Sequence, residues 1–522
     1  MRFTFFIALL LIAAISCRPT NEIETVVSTN TGFVKGLYHS ETGIYSYKGI
    51  PFAQSPAGQL RWKHPQPANA WNDTLDATQY GPICMQGEPV PFSMWTHEFI
   101  APSGNMSEDC LNLNIWTKEG SVSELRPVIV FIHGGGFTSG SGSVPIYNGE
   151  NMAIKDIVFV TMNYRVGVPG FLAHPELTAE SDRNSSGNYG LMDQIAALEW
   201  IRDNISNFGG NPENVTIAGQ SAGAFSVNYL AASPLARGLF HRAIAQSGAS
   251  LLPTGRLSND NSLAAAEERG IQFMEQIGAE TIADLRSVPA ENLIAFQGQA
   301  GSPVIDGYVL PESVYELFAK GNFNDVPLLT GWNADEGLVF GPPATAESFR
   351  RQIEQQYGEH SNEILKLFPS GTDDEARQSQ LDLASLTLFG LQNWKWAQMI
   401  HKAGNSPVYL YHFERKLPFT DLQQDFGAFH TGEVPYAYNT LNQSSRPWTE
   451  TDRILADRMS SYWANFARWG DPNGNELPYW PQTESSDYLT LFFGDSIYVN
   501  PVPMKSRLEL LDLIYSEQTD QK

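Results

Sequence analysis

The chain has 522 residues, of which 42% are hydrophobic and 17% are charged. This composition is typical of a globular protein with a large core and excludes an intrinsically disordered chain. The formal net charge is −24. It excludes nucleic acid as a partner, because nucleic-acid binding needs a basic surface.

The first sixteen residues are predicted to form a signal peptide, Met1–Ser16. Arg2 is followed by the apolar run Phe3–Ile15, which is too short to span a bilayer. We therefore expect the protein to be exported.

Cys17, directly after this leader, allows two modes of processing. Residues 14–17 read Ala-Ile-Ser-Cys and resemble a bacterial lipobox, which would make Cys17 a lipidated first residue and a membrane anchor. Ala14 and Ser16 also satisfy the small-residue rule for ordinary cleavage, which would give a secreted or periplasmic protein. The lipoprotein is favoured because it gives the odd cysteine a function. In an oxidising compartment Cys84 and Cys110 would form one disulfide.

The remaining chain alternates predicted strands with predicted helices, after short strands over residues 22–36. Continuous apolar runs of this kind indicate parallel strands buried on both faces. We expect one α/β domain over residues 20–518, with a large, mostly parallel twisted sheet flanked by helices. The predicted strands are Val128–Ile132, Ile157–Met162, Val215–Ile217, Ala243–Ala245, Val326–Thr330 and Val408–Phe413. The predicted helices are Tyr189–Phe208, several within 251–323, most of Ala346–Ala403 with a break at Pro369–Gly371, Arg453–Trp469 and Ser506–Tyr515.

The stretch Gly219-Gln220-Ser221-Ala222-Gly223 lies between a predicted strand and a predicted helix. It has the Gly-x-Ser-x-Gly pattern of a nucleophile elbow. The two glycines lack side chains where strand and helix approach each other, so Ser221 Oγ would project into a cleft at the positive end of the helix dipole. This context predicts that Ser221 is a nucleophile.

A serine nucleophile needs a neighbouring base, usually a histidine that a carboxylate orients. In α/β-hydrolases the chain order is serine, acid and histidine, each on a loop after a strand. His430 fits this order, because it lies in a loop, whereas His360 and His401 fall in predicted helices and His412 in a predicted strand.

The acid of such a triad would lie between Ser221 and His430. Glu336 follows the predicted strand that ends at Thr330. Asp335 and Asp306 are also candidates, and spacing alone does not choose among the three.

Acyl transfer also needs hydrogen-bond donors for the developing oxyanion. The glycine-rich segment His133–Gly136 follows an early predicted strand and can supply backbone N–H groups. We expect Gly135, Gly136 and Ala222 to form the oxyanion hole. A phosphate-binding loop is the alternative, but no lysine follows and the dinucleotide spacing is missing. This chemistry calls for no metal or cofactor.

Together these motifs resemble the type-B carboxylesterase family, which includes the cholinesterases. The resemblance runs along nearly the whole chain and, with bacterial leader features, suggests a bacterial member. The matching stretches are Tyr47–Ala53, Ser107–Trp116, His133–Phe137, Asn163–Gly167, Gly187–Gln194, the elbow, Asp335–Gly337 and His430.

The resemblance implies an α/β-hydrolase fold and a serine carboxylic-ester hydrolase acting on small-molecule esters. It also implies that Glu336 is the acid and that Ser247 supports the triad. Two ion pairs and one disulfide follow from the same resemblance: Arg61–Glu108, Arg165–Asp193 and Cys84–Cys110.

The chain departs from the family pattern at two places. Gln220 stands where the family usually has a glutamate, which weakens any preference for cationic substrates. The loop between Cys84 and Cys110 differs in length from that of the cholinesterases, so Trp95 is not assigned their choline-stacking role. This loop carries many aromatic residues and is predicted to overhang a pocket or to be held by its own aromatics.

Two other functions remain open at this stage. Some proteins of this fold are non-catalytic binding or adhesion proteins, but those lack the nucleophile that this chain keeps. An amidase or acyltransferase would use the same triad. The sequence does not define the natural ester or the oligomeric state.

Overall fold

A computed structural model describes residues 25–118, 124–254, 260–295, 301–337, 342–419, 425–484 and 487–520. The predicted signal peptide and Cys17 lie outside these residues. Among the helices of the described residues, none is both long enough and apolar enough to cross a membrane.

A central sheet of eleven strands organises the fold, as the α/β-hydrolase prediction requires. Its order across the sheet is β16-β15-β14-β13-β12-β11-β9-β10-β8-β4-β3. These strands are β3 (Leu37–His39), β4 (Ile44–Pro51), β8 (Asn112–Lys118), β9 (Arg126–Ile132), β10 (Val158–Met162), β11 (Gly210–Gln220), β12 (Arg242–Gln246), β13 (Leu328–Asn333), β14 (Val408–Phe413), β15 (Leu489–Phe493) and β16 (Ile497–Pro501). The short strands outside it are β1 (Val26–Ser28), β2 (Phe33–Lys35), β5 (Thr74–Asp76), β6 (Ile83–Cys84) and β7 (Met106–Ser107).

The seven strands from β10 to β15 in the sheet order pair in parallel, while β8, β4, β3 and β16 pair antiparallel at the two flanks. Every side chain from Val128 to Ile132 is fully buried, because helices cover both faces of a parallel sheet. The mostly parallel sheet predicted from the apolar runs is therefore confirmed. The carboxyl ends of β11, β12, β13 and β14 lie side by side at one edge, where ligands bind in open α/β sheets.

The helices of the described residues pack on both sides of this sheet. They are α1 (Glu150–Ile154), α2 (Gly167–Phe171), α3 (Pro175–Glu180), α4 (Tyr189–Asn204), α5 (Ala222–Ala232), α6 (Leu263–Ile277), α7 (Ile282–Ser287), α8 (Ala290–Ile294), α9 (Val314–Ala319), α10 (Ala346–Tyr357), α11 (Ser361–Leu367), α12 (Asp373–Ser385), α13 (Leu391–Ala403), α14 (Val434–Ala437), α15 (Glu450–Trp469) and α16 (Lys505–Asp520).

Two elements start three or more residues away from their predicted starts. Strand β11 begins at Gly210, not at Val215, because Gly210 pairs with Arg126, and a register shift separates this pair from the regular pairing that starts at Val215. Helix α15 begins at Glu450, three residues before the predicted start. Thr449 and Asp452 form a capping box there, a signal that apolar periodicity does not reveal.

The disulfide and both ion pairs that the family resemblance implies are present. Cys84 and Cys110 form a disulfide, and Arg61 contacts both carboxylate oxygens of Glu108 at 2.5 and 2.7 Å. The buried pair of Arg165 and Asp193 is also bidentate, with distances of 2.7 and 2.8 Å. Such planar pairs combine charge with fixed geometry.

Candidate active site

Ser221 lies at the turn between β11 and α5 in a strained backbone conformation. Its φ and ψ are 56° and −126°, a region that side-chain-bearing residues rarely adopt. The Ser221 N–H donates to Gln246 O of the neighbouring strand at 2.9 Å, and the side chain does not cap the helix that follows. The strain therefore presents Oγ at the carboxyl edge of the sheet, as a nucleophile elbow requires.

The two elbow glycines are required by close backbone contacts. A Cβ atom on Gly219 would lie 2.3 Å from the Gly223 carbonyl carbon, and one on Gly223 would lie 2.0 Å from Ile132 O. Both distances are shorter than any tolerated non-bonded contact. The turn from strand to helix can thus close only with glycine at both positions.

Glu336 contacts His430 through one carboxylate oxygen and accepts two hydrogen bonds with the other. Glu336 Oε2 is 2.5 Å from His430 Nδ1. Glu336 Oε1 accepts from Ser247 Oγ at 2.8 Å and from the Asn333 backbone N–H at 2.7 Å. All four residues are buried. A carboxylate held in this way fixes the ring orientation of the histidine and favours a proton on Nδ1.

The other candidate acids have different partners. Asp335 Oδ2 accepts from the Ala428 N–H at 2.9 Å and so pins the loop that carries His430. Asp306 Oδ1 accepts from the N–H groups of Tyr308 and Leu310. Of the three candidate acids, Glu336, the one that the resemblance favoured, is the one that contacts His430.

The three histidines that the sequence set aside lie within regular structure. His412 is in β14, where burial lowers its pKa to about 4. His401 is in α13 and His360 in a 3₁₀ turn. Only His430, among these four, is joined to the Glu336 carboxylate.

The predicted oxyanion hole combines an exposed glycine turn with the first residue of α5. Gly135 and Gly136 have φ values of 110° and 61° and are exposed. Within the described residues, no hydrogen bond uses the backbone N–H of Gly135, Gly136 or Ala222. Ala222 opens a helix, where the first N–H groups have no partner in the helix itself. These two segments therefore present three backbone N–H groups that are not used within the described structure.

The Gln220 side chain lies over the His430 ring. Gln220 Nε2 is 3.1 Å from His430 Nε2 and 3.5 Å from Nδ1. Such similar distances place the amide nitrogen over the ring, because a donor on the in-plane lone pair of Nε2 would lie much farther from Nδ1. The in-plane lone pair of Nε2 is thus left for another donor. In the described residues no hydrogen bond joins it to Ser221 Oγ, and such bonds often tighten only with substrate.

Aromatic side chains hold the remaining surface of His430. Phe389 stacks on the ring with centroids 4.6 Å apart, and Trp95 meets it edge-on at 6.3 Å. Phe389 lies in a π-helical turn, Leu386–Gly390, a deviation that often occurs at functional sites. Trp95 thus brings the disulfide loop against His430, and it also packs on Phe92 of the same loop with centroids 4.9 Å apart.

Sequence analysis missed Glu433, a second buried carboxylate near the triad. Glu433 accepts from Gln246 Nε2 at 3.1 Å and from Asn333 Nδ2 at 2.6 Å. Burial, and secondly the nearby Glu336 carboxylate, raise the pKa of Glu433 to about 7. Its position three residues after His430 was the one available signal.

Comparisons with known proteins identify close matches over most of the chain. A sequence profile described as the carboxylesterase family matches residues 23–501. Para-nitrobenzyl esterase of Bacillus subtilis (strain 168) is 34% identical over 510 residues, covering 93% of this chain and 98% of the relative. Fumonisin B1 esterase of Sphingopyxis macrogoltabida is 34% identical over 509 residues, covering 92% and 90%. A solved PNB esterase structure matches with a TM-score of 0.79 at 31% identity, covering 94% of this chain and 99% of the other.

Proposed function

Because the chain belongs to the carboxylesterase family and is a carboxylesterase, we propose that it hydrolyses esters through Ser221, His430 and Glu336 and a covalent acyl-enzyme. The observation that carries this proposal is the 2.5 Å contact of Glu336 Oε2 with His430 Nδ1. It leaves Nε2 of the same ring free to serve as the base for Ser221, the serine of the nucleophile elbow.

In the acylation step, Ser221 Oγ attacks the ester carbonyl carbon and its proton passes to His430 Nε2. The new C–O bond pushes the carbonyl electrons onto oxygen, and the N–H groups of Gly135, Gly136 and Ala222 stabilise that oxyanion. Collapse of the intermediate breaks the bond to the alcohol, which leaves with the proton from His430. Glu336 stabilises the imidazolium formed in between.

Water then attacks the acyl-enzyme, and His430 again takes the proton and returns it to Ser221 Oγ. The products are one carboxylic acid and one alcohol, and the enzyme is restored. We infer that the substrate is a small, uncharged ester. Gln220 supports this, because a neutral amide and not a carboxylate lies beside the histidine.

Labelling with a fluorophosphonate probe tests the nucleophile. We expect mass spectrometry to locate the phosphonyl group on Ser221 and the Ser221→Ala variant to remain unlabelled. Folded wild-type protein without a label would overturn the triad proposal and favour a non-catalytic binding protein.

The nature of the acyl acceptor and leaving group needs a separate measurement. Rates on matched ester and anilide substrates, with and without added alcohol, distinguish an esterase from an amidase or an acyltransferase. We expect ester hydrolysis to exceed anilide hydrolysis and added alcohol to leave the acid as the main product.

We also infer that the protein is exported and anchored through a lipidated Cys17. The Cys84–Cys110 disulfide supports export, because such bonds persist in oxidising compartments. Expression in a bacterial host tests the anchor. Lipidation would be contradicted if the Cys17→Ala variant stayed in the membrane fraction and its mass differed from that of the wild type only by the substitution.

A further inference from the structure

Thr431, directly after His430, has a backbone conformation that its side chain disfavours. Its φ is 81°, and left-handed backbone is least tolerated by β-branched residues. Among the described residues, Thr431 is the only β-branched residue with a positive φ. Glycine would take this conformation without strain. A strained residue beside a catalytic histidine suggests that its side chain has a function.

The Thr431 hydroxyl joins two side chains from distant parts of the chain. Trp95 Nε1 lies 3.1 Å from Thr431 Oγ1, and Thr431 Oγ1 lies 3.3 Å from Gln220 Oε1. The indole N–H can only donate, so Oγ1 accepts from Trp95 and donates its own hydrogen to the Gln220 carbonyl oxygen. The other end of the same amide, Nε2, then faces the His430 ring at 3.1 Å.

This bond decides which end of the Gln220 amide meets the histidine. The chain of contacts runs from Trp95 in the disulfide loop, through Thr431 and Gln220, to His430. Together with the stacked Phe389 ring, the Gln220 amide restricts rotation of the imidazole. The ring must keep one orientation to serve Glu336 through Nδ1 and Ser221 through Nε2.

We propose that Thr431 is a positioning residue of the esterase, whose hydroxyl links Trp95 to Gln220 and so holds the His430 ring in its reactive orientation. This inference rests on the proposed function, in which His430 is the base. In this proposal Thr431 acts through Trp95 and Gln220 and not on the substrate itself. Its loss should therefore lower kcat and leave KM nearly unchanged.

The test compares three substitutions at Thr431 on a neutral ester such as p-nitrophenyl acetate. Thr431→Val keeps the branched shape and removes the hydroxyl, and we expect kcat to fall about tenfold, as for one lost hydrogen bond in the transition state. KM should change by less than about twofold, since the ground-state contacts stay in place. Thr431→Ser keeps the hydroxyl, so its kcat should stay within about twofold of the wild type.

Thr431→Gly separates positioning from stability. Glycine relieves the strain at φ 81°, so the melting temperature should stay level or rise even as kcat falls as far as in Thr431→Val. A purely structural role for Thr431 would instead lower the melting temperature and leave kcat unchanged.

A double-mutant cycle with Trp95→Phe tests the link to the loop. That substitution removes the indole N–H, and we expect the double variant Trp95→Phe/Thr431→Val to be no slower than Thr431→Val alone, because the two residues act as one unit. Multiplicative losses would overturn the link.

Two outcomes at Thr431 itself would overturn the proposal: wild-type kcat in Thr431→Val, or an equal loss in Thr431→Ser. Fluorophosphonate labelling distinguishes these failures from failure of the proposed function. If the wild type does not label at Ser221, the triad is wrong. If the wild type labels and turns over but Thr431→Val matches it, only the role of Thr431 is wrong.

Discussion

The two sides of His430 are built in different ways. On the Nδ1 side, Glu336, Ser247 and Asn333 are fully buried and stand at the ends of neighbouring parallel strands. On the other side, Gln220 at the end of β11 contacts the ring, and Thr431 joins Gln220 to Trp95, which belongs to a half-buried loop tied down by a disulfide. The sheet alone thus holds the Nδ1 side, whereas the other side, here called the loop side, also depends on the disulfide loop. Changes on the sheet side should affect the chemical step most, whereas opening the disulfide should affect stability first.

The largest effect is expected from Glu336→Gln on the sheet side. The Asn333 N–H can only donate, so the amide oxygen of the new glutamine would face it and the NH₂ group would face Nδ1 of His430. That arrangement forces the proton of the neutral ring onto Nε2, the wrong tautomer for a base. We expect kcat to fall roughly 10⁴-fold in steady-state ester hydrolysis.

Asp335→Asn is the matched control for this substitution. It weakens the contact with the Ala428 N–H but leaves the Glu336–His430 pair intact, so kcat should fall less than about tenfold. Equal losses in the two variants would show that the loop, and not the orienting carboxylate, dominates.

The loop side should respond most to loss of its disulfide. The disulfide closes a loop between two residues with a sequence separation of 26. In the double variant Cys84→Ser/Cys110→Ser this loop is open, so the unfolded chain gains conformational entropy. The free energy of unfolding should fall by about 3 kcal/mol in urea denaturation. The folded variant should still label at Ser221, since the elbow belongs to the sheet. Loss of labelling in folded protein would mean that the two sides are not independent.

Glu433 adds a pH dependence to the sheet side. Its pKa is raised from 4.5 to about 7, mainly by burial and secondly by Glu336. Between these pH values the unfolded chain releases a proton that the folded protein keeps, so the stabilisation present below pH 4.5 is lost as the pH rises through 7. We expect the wild type to lose roughly 3 kcal/mol relative to Glu433→Gln over this range.

The measurement is urea denaturation of the wild type and of Glu433→Gln at several pH values. The informative quantity is how the difference between their free energies of unfolding changes with pH. The absolute stability of Glu433→Gln is less informative, because its amide would meet donors from Gln246 and Asn333. The exposed Glu354→Gln variant corrects for the loss of one acidic group. A flat difference between pH 4.5 and 8 would contradict the raised pKa.

The two sides also differ in how far the sequence reveals them. The elbow is local: strand, Gly-x-Ser-x-Gly and helix follow one another, and the contact of Gly223 with Ile132 explains the pattern. His430 could be selected by chain order. Glu336 could not be separated from Asp335 by spacing, because adjacent residues leaving β13 turn to different partners. Only the family resemblance made that choice before the structure.

The loop side could not be predicted because its contacts join residues that are far apart in sequence. Trp95 and Thr431 are separated by 336 positions, and no periodicity relates them. The strain at Thr431 is equally hidden, since a threonine before Gly432 carries no signal for a positive φ. Local pattern therefore predicts the nucleophile and the sheet, and only the folded chain shows what surrounds the base.

The smallest of these effects is expected at Ser247, whose hydroxyl donates to Glu336 Oε1 at 2.8 Å. Ser247→Ala leaves that oxygen with the Asn333 N–H alone, and a lost bond to a charged acceptor should lower kcat about tenfold. Thr330→Val is the control, because its buried hydroxyl donates to Ala245 O at 2.9 Å and does not touch the triad. Both variants lose one buried hydrogen bond, so both should be less stable, but only Ser247→Ala should lose kcat. Equal kcat values in the two variants would mean that Asn333 suffices to hold the acid. A backbone N–H would then be enough to hold Glu336 on the sheet side, whereas the loop side depends on side-chain hydrogen bonds.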